Sequence, residues 1–102
     1  MPLFMVKREV FEWIRRGLKT VELRKGRLKA GDEAVFQCDR DIVRAKIIGK
    51  QERSLQLLLQ SFPLDQIIPT ARSVEEAEAY IRGLYGTTDG TFTAYRFRTR
   101  GR

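Results

Sequence analysis

Four side chains of complementary chemistry lie close together near the N-terminal third of the chain. Lys19 supplies an ammonium, Thr20 a hydroxyl, Glu22 a carboxylate and Arg24 a guanidinium. Alternate residues of a strand point to one face and lie roughly 7 Å apart, so Thr20, Glu22 and Arg24 would form a ladder of donors, acceptors and charge. Such a ladder suits a polar ligand. The plainer interpretation is a solvent-facing ion pair worth under ~1 kcal/mol.

Basic residues are concentrated around this segment. Seven of them stand within residues 15–29, and Glu22 is the only acid there. They are Arg15, Arg16, Lys19, Arg24, Lys25, Arg27 and Lys29. The net charge of +7 divides into +6 for residues 1–50, −3 for residues 51–95 and +4 for residues 96–102. Segregated positive charge favours a polyanion as partner, and a solvated basic face is the alternative.

Several kinds of chemistry are excluded by composition. The sequence has no histidine, which excludes histidine-based metal sites and Ser–His or Cys–His nucleophile pairs. A single cysteine, Cys38, cannot form an internal disulfide and favours a reducing compartment. No apolar run approaches the roughly 18 residues of a membrane span. We therefore expect a cytoplasmic protein with no cofactor, no metal and no membrane partner, and the sequence leaves its oligomeric state open.

The elements that position the four side chains follow from the spacing of apolar residues. Helical spacing predicts a helix over residues 8–16, with Gly17 as the left-handed residue that ends it. Alternation then predicts a strand over residues 19–24. Gly17 would allow the tight passage from helix to strand and would place Lys19 at the start of that strand.

The remaining elements predict an α+β domain. Strands over residues 33–38 and 42–48 form a hairpin, and a last strand starts at Thr91. Ser54 and Ser73 are predicted helix N-caps, Ser73 within a capping box with Glu76. The order β-α-β-β-β-α-α-β indicates a small β-barrel, closed or nearly closed, with flanking helices. We expect one domain over residues 1–102, in which residues 96–102 form a flexible basic tail.

The motif at residues 17–24 resembles a family signature. The run G-x-K-T-x-E-x-R, followed by Gly31-Asp32 and an apolar strand, resembles the signature of ASCH domains. Ile67-Ile68-Pro69, the Ser73–Glu76 segment and the stretch from Tyr80 to Tyr85 resemble the second half of compact ASCH proteins, so the resemblance covers nearly the whole chain. It implies a PUA-like β-barrel whose cleft, lined by the motif strand, binds RNA or a modified nucleoside or nucleotide.

A basic cleft over the barrel is the expected binding site. Its predicted RNA- or nucleotide-binding residues are Gly17, Lys19, Thr20, Glu22, Arg24, Lys25, Arg27, Arg44, Arg96 and Arg98. A plain solvent-facing role is the alternative for Arg44, Arg96 and Arg98. Among the aromatic residues, Tyr85 and Tyr95 stand next to turns or basic residues and are candidates for stacking on a base.

An enzymatic function is the alternative. Some ASCH proteins that resemble this chain are amidohydrolases that remove the acetyl group of N4-acetylcytidine with a lysine, a threonine and a glutamate, and others are ribonucleases. Lys19 falls at the position of that lysine, Glu22 stands where the threonine is expected, and Thr20 is one register away. No acid aligns with the family's glutamate. The resemblance then implies Lys19 and Glu22 as catalytic residues of a hydrolase, and a protein-interaction module is a third possibility.

Overall fold

The computed structural model describes residues 1–99, which form one five-stranded sheet and four helices. The strands are β1 (Leu3–Met5), β2 (Val21–Lys25), β3 (Glu33–Cys38), β4 (Asp41–Ser54) and β5 (Thr91–Thr99). The helices are α1 (Arg8–Arg15), α2 (Leu55–Ser61), α3 (Leu64–Ile67) and α4 (Val74–Tyr85). The predicted order of elements is confirmed except for one addition, the short helix α3 between the two predicted helices α2 and α4.

The sheet has the strand order β1-β3-β4-β5-β2. Its β1–β3 pair is parallel and the other pairs are antiparallel. The hairpin of β3 and β4 is present, turning at Asp39, whose φ of 54° is left-handed. The second strand of that hairpin continues past residue 48 to Ser54, because a bulge between Ile47 and Gly49 lets it go on pairing with β5.

The two edge strands, β1 and β2, approach each other across a gap that we call the seam. Arg24 of β2 donates a hydrogen bond from Nη2 to the carbonyl oxygen of Met5 in β1, over 2.9 Å. The same guanidinium lies 4.8 Å from the ring centroid of Phe4. The sheet is therefore a curled half-barrel whose edges are linked by a side chain, and the predicted α+β fold is confirmed.

Aromatic side chains fill the inside of the curled sheet. Phe4 lies 5.4 Å from Phe36 and 5.0 Å from Tyr95 between ring centroids, and Phe36 lies 4.7 Å from Phe97. These four side chains come from β1, β3 and β5, and all are buried. Rings at such separations pack favourably beyond the area they bury. This core fixes the position of the seam.

Local capping places the segment that carries the motif. Gly17 has a φ of 77°, which glycine adopts without penalty, and it ends α1 as predicted. The N–H groups of Leu18 and Lys19 both bond to the carbonyl oxygen of Trp13, so the turn is tight. The Ser54 and Ser73 caps are confirmed. The Glu76 carboxylate accepts from the N–H of Arg72, one residue before the one expected for a capping box.

The predicted basic tail is wrong for its first half. Strand β5 runs to Thr99 and pairs with β4 at Arg96 and Arg98, so both arginines belong to the sheet. Their alternation with buried neighbours is that of a strand with one face on the core. The other two arginines of the predicted tail, Arg100 and Arg102, lie outside the described residues.

Candidate functional site

A cavity of about 230 Å³ lies beside the seam, between the motif strand and two helices. Its wall comes from the β1–α1 junction, α1, β2, α3 with the residue after it, and α4. The lining residues are Met5, Val6, Lys7, Val10, Trp13, Lys19, Glu22, Leu23, Arg24, Ile67, Ile68, Tyr80, Ile81, Leu84 and Tyr85. Most of these are apolar or aromatic. The polar groups among them are concentrated on β2 and the residue pair that precedes it.

Lys19 is a buried ammonium whose hydrogen-bonding capacity is filled. Its Nζ donates to the carbonyl oxygens of Val21 at 2.7 Å and Ile67 at 2.5 Å, and it lies 3.3 Å from Oε1 of Glu22. An ammonium has three N–H donors, so each has an acceptor. Burial lowers the pKa of Lys19, and the neighbouring carboxylate of Glu22 opposes that shift in part. The ammonium therefore ties α3 to β2.

Glu22 joins the two cations of the motif. Its second carboxylate oxygen accepts from Nε of Arg24 over 2.7 Å, and only 8% of its side chain is exposed. The side chain of Lys19 is 6% exposed and that of Arg24 is 27% exposed. The three charges form a row from the interior toward solvent. This arrangement differs from the solvent-facing pair that was the plainer expectation, because its central carboxylate is buried.

Aromatic rings also line this cavity. Trp13 and Tyr80 lie 6.3 Å apart between ring centroids, tilted by 41°. Tyr85 packs edge-on against Phe92 at 5.7 Å. Burial raises the pKa of both Tyr80 and Tyr85, so their hydroxyls stay protonated well into the alkaline range. The cavity thus combines flat aromatic surfaces with hydrogen-bonding groups.

Three of the ten predicted binding residues reach this cavity, namely Lys19, Glu22 and Arg24. Gly17 shapes the turn before them and does not line it. Thr20 does not line it either, because β2 begins one residue later and the Thr20 hydroxyl bonds to Oε1 of Gln66 at 3.3 Å. The same-face ladder therefore reduces to Glu22 and Arg24, with Lys19 joining them from the preceding turn.

The other predicted residues lie elsewhere. Lys25 bonds to the carbonyl oxygen of Asp89, and Arg27 lies 3.5 Å from the carboxylate of Glu52. Arg44 faces Met1 on the outer side of the sheet, and Arg96 packs over Gly49. Arg98 lines a second, open depression with Asp32, Glu33 and Lys46.

The predicted basic cleft is accordingly not what the structure has. Of the seven basic residues clustered within residues 15–29, only Lys19 and Arg24 line the cavity. The carboxylate of Glu22 lies between them and offsets one of their two positive charges. Arg15 and Arg16 belong to the C-terminal end of α1, and Lys25, Arg27 and Lys29 to the end of β2 and the loop after it. Tyr95 was also wrongly considered as a stacking residue, because it is buried in the core and its hydroxyl accepts from the N–H of Lys29.

Sequence reasoning missed several residues of the site. Lys7 lines the cavity from the start of α1, and Ile67 supplies a carbonyl oxygen to Lys19. The Ile67-Ile68-Pro69 run was noticed as part of the resemblance, but nothing in its apolar character indicates a backbone acceptor. Glu22 is the only acid among the described residues that lines the cavity, so no second carboxylate lies there beside Lys19.

Residues 1–99 contain neither a candidate metal site nor a candidate membrane-spanning helix. No group of three or more acidic or cysteine side chains there is placed to hold a metal ion. No helix in this range has the length and apolar character needed to cross a membrane.

Solved structures define the class to which this fold belongs. No protein-family model and no curated protein matches the sequence. The hypothetical protein PH0355 has a TM-score of 0.78 at 18% identity, over 97% of this chain and 99% of that one. Protein PF0455 from Pyrococcus furiosus has a TM-score of 0.71 at 17% identity, over 99% and 98% of the two chains. The chain thus shares the compact α+β fold of these two proteins.

The narrower assignment comes from the ASCH protein of Zymomonas mobilis. Its crystal structure has a TM-score of 0.68 at 20% identity, over 94% of this chain and 65% of that one. The chain therefore has the ASCH fold, as the motif at residues 17–24 predicted.

Proposed function

We propose that the protein binds RNA, or a nucleotide derived from it, by taking one base into the cavity beside the seam. The observation that carries this proposal is the division of the cavity into an aromatic wall, with Trp13 and Tyr80, and a polar row, with Glu22 and Arg24. A nucleobase has the same division, because its faces stack on aromatic rings and its edge forms hydrogen bonds.

The polar row suits a base edge that carries both donors and acceptors. A carboxylate has about four lone-pair positions, and Glu22 uses one oxygen for Lys19 and the other for Arg24. Its remaining lone pairs can accept from an exocyclic amine or a 2′-hydroxyl. Arg24 uses Nε for Glu22 and Nη2 for Met5, so its other N–H groups can donate to a ring carbonyl or ring nitrogen.

The size of the cavity limits the bound group. Pockets that enclose drug-sized ligands measure about 300–1,000 Å³. The 230 Å³ cavity is smaller, so it suits a single base with part of its sugar. The expected ligand is a nucleotide unit, either free or exposed in a single strand.

Hydrolysis of a modified nucleoside is a second candidate, favoured by one observation. Lys19 lines the cavity and burial lowers its pKa, which are properties of a lysine that acts as a base or nucleophile. Its three N–H groups, however, are all engaged, so it would have to leave the carbonyl oxygen of Val21 or Ile67 to attack a substrate. This requirement makes binding the better supported function.

One experiment separates the two candidates. Trp13 is the only tryptophan and lines the cavity, so its fluorescence should change on titration with cytidine, N4-acetylcytidine or short single-stranded RNA. Chromatography of the same mixtures after long incubation at high protein concentration should show unchanged ligands. Release of acetate or RNA cleavage would support the hydrolase instead. A flat fluorescence response to all three ligands, without turnover, would contradict both.

A further inference from the structure

The mouth of the cavity raises the question of where the rest of an RNA chain would lie. A cavity of about 230 Å³ does not hold more than one nucleotide unit, so the neighbouring phosphates must lie on the protein surface beside it. Phosphate contacts from Lys and Arg provide most of the sequence-independent affinity for nucleic acids. The positions of the cations around the mouth therefore indicate where these phosphates would lie.

Lys7 is the exposed cation on the α1 side of the mouth. It lines the cavity, and within residues 1–99 no carboxylate lies within ion-pair distance of its ammonium. Its neighbour Arg8 differs, because Arg8 lies 3.0 Å from Asp41 and 3.7 Å from Asp39. Lys7 therefore offers a charge that no carboxylate of residues 1–99 neutralises at ion-pair distance.

Arg24 and Lys29 continue the positive charge across the seam. The guanidinium of Arg24 lies 4.8 Å and the ammonium of Lys29 lies 5.8 Å from the same Phe4 ring centroid, so both cations flank one ring at the edge of β1. Arg24 also bonds to the carbonyl oxygen of Met5, two residues before Lys7. Lys29 is exposed and, in the described part of the chain, has no ion-pair partner.

A fourth cation lies next to this group. Lys50 donates from Nζ to the carbonyl oxygen of Lys29, which brings β4 to the far end of the same surface. Within residues 1–99, the only carboxylate at ion-pair distance from Lys7, Arg24, Lys29 or Lys50 is that of the buried Glu22. We call these four residues the seam cations.

The outer face of the sheet has a different balance of charge. Lys46 of β4 is paired in register with Glu33 of β3 and with Arg98 of β5. Asp32 and Glu33 line the same depression as Lys46 and Arg98. Acidic groups within such a surface weaken its attraction for phosphates. This depression and the cavity beside the seam have no lining residue in common.

We propose that the ligand is single-stranded RNA whose backbone crosses the seam, with one base in the cavity and its flanking phosphates on Lys7, Arg24 and Lys29. This proposal rests on the proposed function and adds the strandedness of the ligand and the path of its backbone. A base inside a duplex is stacked and paired, so it would first have to be extruded at a cost of a few kcal/mol. A free nucleoside would leave Lys7 and Lys29 without a ligand group.

The test is the salt dependence of binding of a short fluorescent single-stranded RNA of mixed sequence, measured by anisotropy. Each phosphate contact contributes about 0.7 to the slope of log affinity against log salt for single strands. Lys7→Ala and Lys29→Ala should each reduce the slope by about that amount, and the double variant by about twice as much. The matched controls Arg44→Ala and Lys46→Ala, on the outer face, should leave the slope unchanged. Lys7 and Lys29 are both exposed, so these variants should keep the wild-type melting temperature.

The outcomes separate this inference from the proposed function. Unchanged slopes for Lys7→Ala and Lys29→Ala, or a reduced slope for the outer-face controls, would overturn the path across the seam. Tighter binding of the same sequence as a duplex would overturn the strandedness. If nucleosides alter Trp13 fluorescence but the RNA does not bind, only this inference fails. If neither binds, the proposed function fails with it.

Discussion

Replacing Glu22 with alanine is expected to destabilise the protein by roughly 3–5 kcal/mol, the usual cost of removing one partner from a buried ion pair. The carboxylate is 8% exposed and lies between Lys19 and Arg24, so its loss leaves the buried ammonium of Lys19 beside a second cation. A domain of this size has a total stability of about 5–15 kcal/mol, so the effect should be large in urea unfolding followed by circular dichroism.

The control for this experiment is Glu12→Ala. Glu12 accepts from Arg15 over 2.6 Å, a shorter distance than in either ion pair of Glu22, but both side chains are exposed. Solvent screening makes such a pair weak, and the unfolding midpoint should change little. A Glu22→Ala midpoint as close to wild type as that of Glu12→Ala would contradict a buried charge row.

A double variant separates the structural role of the row from its role in binding. Lys19→Met with Glu22→Leu removes both buried charges, and such replacements are often neutral or stabilising where single ones are not. We expect it to regain much of the stability that Glu22→Ala loses, less what the unpaired carbonyl oxygens of Val21 and Ile67 cost. The double variant should not bind RNA, because it lacks the polar groups at Lys19 and Glu22.

Replacing Tyr80 with leucine is expected to weaken RNA binding by roughly 5- to 150-fold, which corresponds to the 1–3 kcal/mol of stacking one base on an aromatic ring. Tyr80 is partly exposed, lies beside Trp13 and lines the same cavity as Glu22 and Arg24. Anisotropy of a labelled single-stranded RNA is the appropriate measurement, because Trp13 fluorescence would itself respond to the change.

Tyr80→Phe is the matched control, because it keeps the ring and removes only the hydroxyl. It should bind RNA with nearly wild-type affinity. Equal losses for the phenylalanine and leucine variants would mean that the hydroxyl, not the ring, contacts the ligand. Wild-type affinity for both would remove Tyr80 from the site.

Much of the fold follows from local rules that the sequence obeys. The helix caps at Ser54, Ser73 and Gly86, and the left-handed Gly17, are set by side chains and backbone conformations a few residues apart. The length of β4 was not predictable in the same way. Its second half is held by pairing with β5, some forty residues further along the chain, and the bulge at Gly49 that permits this has no distinct local pattern.

The site shows the same division between local and distant causes. Lys19, Glu22 and Arg24 could be singled out from their types and spacing. That Glu22 is buried could not, because its burial depends on α3 and α4 closing over β2 from distant parts of the chain. The prediction of a basic cleft was wrong for a related reason. Charge counted along the sequence takes no account of which face each residue occupies, and most of those cations point away from the cavity.

The most direct test of the account is a map of backbone amide and indole shifts in the NMR spectrum as short single-stranded RNA is added. We predict that the largest changes fall on the Trp13 indole and on the amides of Lys7, Leu23 and Tyr80, with Lys46 and Arg98 little affected. Changes centred instead on Glu33, Lys46 and Arg98 would place the ligand on the outer face. That result would contradict a base-binding cavity beside the seam.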